Sequence, residues 1–354
     1  MVKPRRGVWA ALMLTCGLVS ASQAFGETLS ESASKADSNT QSESTHWQVA
    51  AALPIATQEI YPALHDGKLV VAGGLTPSAT AEWMGVSDRV FAYSFDVDEW
   101  VEWPSLPEPR HHPMLIDLEQ GLYSFGGFTQ NDKGLWHNST DVLKLTDSGK
   151  WQTISSMPIP LSESLISVHN GVVHLVTGRT PLEANNNAQW RDHGDTAQHW
   201  MYDIESNRWA QGASAPTARN SACAVVIDNR WHTIGGRTVG GGNLAVHEVY
   251  DFTTQQWQTL PSLPQAQAGL ACAAIGKQIY VFGGEYFDNG GGVYETVWQY
   301  DTQQALWREA SVMPLPRHGL GAITHQQKIY VVAGAAKAGG NETSNRMSIF
   351  TPAQ

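Results

Sequence analysis

The chain of 354 residues carries 33 acidic and 22 basic side chains, is 42% hydrophobic, and holds 33 glycines, 14 tryptophans and three cysteines. These proportions exclude a disulfide-stapled miniprotein, a collagen and a wholly disordered polypeptide. A formal charge of −11 also argues against nucleic acid as a partner, because phosphate backbones are held chiefly by Lys and Arg, and abundant Trp beside only 16% charged residues favours an all-β architecture.

At the start of the chain, Lys3, Arg5 and Arg6 precede an apolar run from Val8 to Val19, and Ser22-Gln23-Ala24 offers small residues for cleavage. Residues 1–24 therefore read as a signal peptide, which places the protein in the periplasm or outside the cell. The apolar run is about 12 residues long, short of the roughly 20 that span a bilayer, so no transmembrane segment is expected. Leu14-Thr15-Cys16-Gly17 faintly resembles a lipoprotein cleavage box and leaves lipidation of Cys16 open. Residues 25–45 are mostly Ser, Thr, Glu, Asn and Gln, a composition that cannot bury enough surface to order itself, and read as a disordered tether. Loss of the three leader cations leaves 19 basic against 33 acidic side chains, so any affinity for anions must come from local geometry.

From residue 46 onward a repeat governs the chain. Trp47, Trp100, Trp151, Trp209, Trp257 and Trp307 are each followed six and seven residues later by a small or apolar residue and a proline: Leu53-Pro54, Leu106-Pro107, Met157-Pro158, Ala215-Pro216, Leu263-Pro264 and Met313-Pro314. Nineteen residues past each proline, or twenty in the third repeat, stands a glycine step: Gly73-Gly74, Gly126-Gly127, Gly178-Arg179, Gly235-Gly236, Gly283-Gly284 and Ala333-Gly334. A short β-rich run precedes every step, and Tyr93, Tyr202, Tyr250 and Tyr300 lie seven residues before their tryptophans. The pattern resembles the kelch repeat, an apolar strand and a Gly-Gly pair followed by Tyr and Trp at set separation.

That resemblance, spanning Trp47 to Phe350, implies a six-bladed kelch β-propeller with four antiparallel strands per blade, in which the segment around Trp47 closes the last blade as a clasp. Cys223 and Cys272 sit one position out of register in neighbouring repeats. Strand alternation then turns them opposite ways, which predicts two buried thiols in preference to a disulfide.

In a four-stranded meander, the loop entering the innermost strand and the loop joining the second and third strands share one face, the mouth of the channel. Three residues past their prolines stand Arg110, Arg219 and Arg317, in alternate repeats. Three guanidinium forks there predict a positive focus for carboxylate or phosphate, although many kelch repeats use this Arg to bind rim carbonyls. Glu59 and Asn220 are expected to line the same ligand site, and His111, His318 and Glu163 are candidate acid–base groups. The longest loop, in the third repeat, presents Trp190 for stacking on a sugar. Its Asp192, His193, Asp195 and His199 match no ligand spacing, so neither a metal nor a cofactor is expected.

The architecture and leader resemble the sialic acid mutarotase group of secreted bacterial kelch propellers, which implies binding of an acidic small sugar and interconversion of its anomers by an isomerase. A non-enzymatic interaction module gripping an acidic peptide or polysaccharide is the alternative, and in either case a monomer is expected. The central domain of galactose oxidase is similar in architecture, but no Tyr is followed by His here to supply that family's copper ligands.

Overall fold

The computed structural model describes residues 46–77 and 84–353; the signal peptide and tether expected over 1–24 and 25–45 lie outside them. Among the described residues, five four-stranded antiparallel sheets and one of five strands, in which the short strand Gly292–Val293 adds to Gln278–Tyr286, make up most of the structure, one per repeat. The innermost strands, in order, are Ala63–His65, Met114–Leu118, Leu165–His169, Cys223–Ile227, Ala268–Ile275 and Gly321–His325. The sixth sheet runs Gly321–His325, Lys328–Val332, Met347–Thr351 and then His46–Ala50, so its outermost strand comes from the other end of the chain. Trp47 lies opposite Phe350 in that pairing, which realises the expected clasp.

The repeat residues explain why the sheets assemble. The residue before each proline is buried, from Leu53 and Leu106 through Met157, Ala215 and Leu263 to Met313. Each Leu or Met removed from water contributes on the order of 1.5–3 kcal/mol. Tyr and Trp of one repeat pack together across its outer strand pair, with ring centroids 5.2 Å apart for Tyr93 and Trp100 and 4.9 Å for Tyr300 and Trp307. The indole N–H then reaches the neighbouring repeat: Trp100 donates to the Ala51 carbonyl, Trp151 to Pro104, Trp257 to Ala213 and Trp307 to Pro261.

The glycine step is where neighbouring repeats meet most closely. The amide of its second residue donates to the carbonyl three residues past the next repeat's proline: Gly74 to Arg110, Gly127 to Leu161, Gly178 to Arg219, Gly236 to Gln267, Gly284 to Arg317, and finally Gly334 to Thr57. A Cβ on Gly126 would lie 2.1 Å from the Leu161 carbonyl oxygen, and one on Gly283 would lie 2.0 Å from that of Arg317. The step's first residue also takes a left-handed φ, which L side chains adopt at a cost. In the third repeat that residue is Thr177, φ 59°, and not Gly178. The irregular spacing of twenty thus disappears, because Thr177 lies nineteen residues past Pro158 like its counterparts.

The cysteines correct the expectation of free thiols, since Cys223 and Cys272 form a disulfide with Cα atoms 5.7 Å apart. The two faces of each sheet look toward the two adjacent sheets. A half-turn difference in strand position is therefore what aims one cysteine at the other across the gap.

Candidate functional site

The three arginines expected to line the mouth are buried instead, at 1%, 0% and 1% exposure for Arg110, Arg219 and Arg317. Each guanidinium turns along its own repeat toward the end of the second strand. Arg110 donates to the Gly126 carbonyl and pairs with Glu108 and Asp141. Arg219 pairs with Glu248 at 2.6 Å and donates to Thr233, and Arg317 donates to the Leu315 and Val331 carbonyls. Thr57 and Gln267 make the corresponding bonds, to Gly73 and Gly283, in repeats without Arg. This position fastens strand ends and presents no cation to a ligand, which corrects the expected positive focus.

The mouth is built from the next two positions. Five residues past each proline, Glu59, His112, Glu163, Ser221, Gly269 and Gly319 all adopt left-handed φ values between 50° and 68°. Backbone bonds link four of the gaps between them: His112 N–H to Glu59 O, Glu59 to Gly319, Gly319 to Gly269, and Gly269 to Ser221. Glu163 joins the ring through its side chain, accepting from the Ser221 hydroxyl at 2.5 Å.

Arg179, Arg237 and Glu285, each directly following its repeat's Gly178, Gly236 or Gly284, complete the polar cluster. Arg237 pairs with Glu285 at 2.6 Å and leaves 24% of its side chain exposed. Arg179 stands 3.8 Å from Glu163 and donates to the Trp190 carbonyl. Glu59 accepts from His112 Nε2 at 2.7 Å. As landmarks of the repeat, the glycine steps do not mark the residue that follows them. The signal of Arg179, Arg237 and Glu285 was position, since the residue after the step pairs with the one four past the proline, as Arg237 does with Asn220 and Arg179 with Ser162.

Electrostatics favour ionised carboxylates here. Burial opposes the charge on Glu59, but His112, through its field and hydrogen bond, together with Arg237, drives its pKa well below the ordinary range. Glu163 is also lowered: burial raises it, while His112, Arg179, Arg237 and the Ser221 hydrogen bond outweigh burial. The Tyr61 hydroxyl is pushed far up by burial and by Glu163 and Glu59, so it stays protonated.

The remaining candidates divide. Asn220 reaches the rim and donates to Asp195 at 2.5 Å. His111 does not serve the mouth, because its ring stacks on Phe128, lies 4.3 Å from Trp136, and faces His112 through Nδ1. Burial and the field of His112 hold its pKa well below the imidazole range. His318 is wholly buried, with Nε2 against the Lys337 and Gly339 carbonyls and Nδ1 facing Glu59 and Glu285. Trp190, 43% exposed, covers the Arg179 guanidinium at 5.0 Å. Asp192, His193, Asp195 and His199 do not converge: His193 bonds Asn187, Asp195 bonds Asn220, and His199 faces His174.

Under the ring lies a niche of about 20 Å³ bounded by Glu59, Tyr61, Ser221, Gly269 and Gly319. Further along the inner strands, a cavity of about 280 Å³ is walled by Leu115, Leu165, Leu270, Leu320 and the Cys223–Cys272 bridge.

A family model described as the KLHDC2/KLHL20/DRC7 Kelch-repeats domain matches residues 188–354. Among curated proteins, Beta-scruin of Limulus polyphemus is 24% identical over 51% of the chain and 19% of its own length. Kelch-like protein 23 of Homo sapiens is 24% identical over 54% of the chain and 32% of its own length. The matched region is thus under a third of either relative. A solved structure titled "Structure of YjhT" superposes with a TM-score of 0.70 at 16% identity, covering 83% of this chain and 95% of that one, a likeness of fold. Among the described residues no helix is long and apolar enough to cross a membrane.

Proposed function

Starting from a kelch-repeat β-propeller with a polar ring at one mouth, we propose that the protein is exported and binds an acidic sugar of the sialic acid type there, interconverting its anomers. The observation that carries this reading is the pair Arg179 and Arg237, brought to the rim behind the glycine steps of consecutive repeats. A guanidinium presents two parallel N–H donors to a carboxylate, and Arg237 is the more exposed of the two. Mutarotation needs one group to accept the anomeric proton and another to protonate the ring oxygen. Glu163 is ionised and can accept; the Tyr61 hydroxyl, too weak an acid to release its proton, can donate a hydrogen bond to the ring oxygen while solvent supplies the proton. The disulfide supports export, because such bonds persist in oxidising compartments.

The test mixes the purified protein with freshly dissolved α-N-acetylneuraminate and follows the anomers by proton NMR. Accelerated equilibration is expected, and an unchanged rate would remove the enzymatic reading. The niche beneath the ring, about 20 Å³, favours a second reading. A ligand enclosed in a pocket usually needs about 300 Å³ or more, so a longer acidic peptide or polysaccharide lying across the rim also fits. Binding without anomer exchange would select that alternative.

A further inference from the structure

We propose that Glu59, Glu285 and His318 form a binding site for a first-row divalent cation of the zinc class. One ligand-capable atom from each lies within 4.8 Å of the other two.

The assignment begins with His318. Its Nε2 faces two acceptors, the Lys337 carbonyl at 2.9 Å and the Gly339 carbonyl at 3.0 Å, so Nε2 carries a hydrogen. The residue is fully buried, and its Nδ1 has no hydrogen-bond partner. That atom points at Glu285 Oε2, 3.4 Å away, and Glu59 Oε1, 3.6 Å away. A lone pair facing two carboxylate oxygens is repulsive unless a positive charge lies between them. A second proton on the ring would draw a carboxylate in to about 2.7–2.9 Å. Zinc bound at about 2.0–2.2 Å in a tetrahedral site separates its ligand atoms by about 3.4 Å. The two separations from Nδ1 match the cation.

The other atoms of the three residues are already held by hydrogen bonds, as those of metal-binding side chains usually are. Glu59 Oε2 accepts from His112 Nε2 at 2.7 Å, and Glu285 Oε1 accepts from Arg237 at 2.6 Å. Glu285 Oε2 also accepts from the Gly339 amide at 2.7 Å and keeps a lone pair for an ion. One imidazole and two carboxylates suit zinc, iron or manganese better than calcium. Three protein ligands would leave a coordination position for solvent or a ligand oxygen. The inference uses none of the acidic-sugar argument.

The experiment titrates chelator-stripped full-length protein with Zn²⁺ by calorimetry and locates the ion by anomalous diffraction at the zinc edge. One equivalent should bind, with its anomalous peak among Glu59 Oε1, Glu285 Oε2 and His318 Nδ1. Glu59→Gln, which keeps the side-chain shape, and His318→Ala should each weaken binding at least about tenfold, and Arg237→Ala by roughly 10–100-fold. Absence of saturable binding, or a peak elsewhere, overturns the proposal. Because diffraction uses the unaltered chain, a variant that fails to fold does not decide the matter. If zinc does not bind while acidic sugar does, only the metal site is lost.

Discussion

Arg219 and Glu248 meet at 2.6 Å in near-complete burial, with the guanidinium also held by the Thr217 carbonyl and the Thr233 hydroxyl. Removing one member of such a pair strands a charge in the interior. Arg219→Ala should cost about 3–5 kcal/mol of stability, read as a lowered urea midpoint. A variant of wild-type stability that instead lost acidic-sugar affinity would return this arginine to the ligand site.

Arg237→Ala should act on the ligand as well as on the fold. Its partly exposed guanidinium contributes on the order of 1.5–3 kcal/mol to holding a carboxylate, about tenfold or more in Kd, and because its loss also strands the buried Glu285 carboxylate, the melting temperature should fall too. Titration with N-acetylneuraminate by calorimetry checks it, and equal affinity in both proteins contradicts the assignment.

The disulfide joins residues 49 apart. Chain-entropy arguments give about 4 kcal/mol for a loop of that size. Cys223→Ala, or thiol reductant, should lower the thermal midpoint, and an unchanged midpoint under full reduction would refute the contribution.

Thr177 combines a left-handed φ of 59° with a buried hydroxyl that has no hydrogen-bond partner. Thr177→Gly removes both penalties and gives the third repeat the glycine pair of the first, second, fourth and fifth. A gain of about 1 kcal/mol in urea denaturation is expected.

Burial holds His174 and His247 down to about 3, and His193, His199 and His232 down to about 4. Unfolded, each binds a proton near pH 6.5. Between these values the unfolded chain carries more protons than the folded one, so stability falls as pH drops from about 6.5 toward 4. Two of the contacts, His174 with His199 and His232 with His247, place imidazoles 2.9 Å apart, where double protonation is unfavourable. Urea midpoints at pH 7.5, 6 and 5 should decrease in that order; a flat profile would contradict the effect.

The sequence disclosed the sheets because Trp, Pro and Gly act there through backbone contacts that allow few substitutes, and the clasp followed from a first Trp lacking its own sheet. It concealed Thr177, since φ leaves no mark on a residue's identity. The arginines misled because an Arg three residues past the proline has the same spacing whether it reaches inward to carbonyls or outward to a ligand. Arg237 and Glu285 escaped notice because each stands alone in sequence, and only ring closure brings Glu285 near Glu59 and His318. Alternation within one sheet does not govern the cysteine pair, because its bond runs between two sheets.

The pairing of His46–Ala50 with Met347–Thr351 also sets a condition on biosynthesis. A partly translated chain can form individual sheets but leaves the sixth without its outer member. The earliest strand must wait, unpaired, until the last one is released. Circularly permuted genes that cut at another loop should shift that wait elsewhere without altering the finished ring.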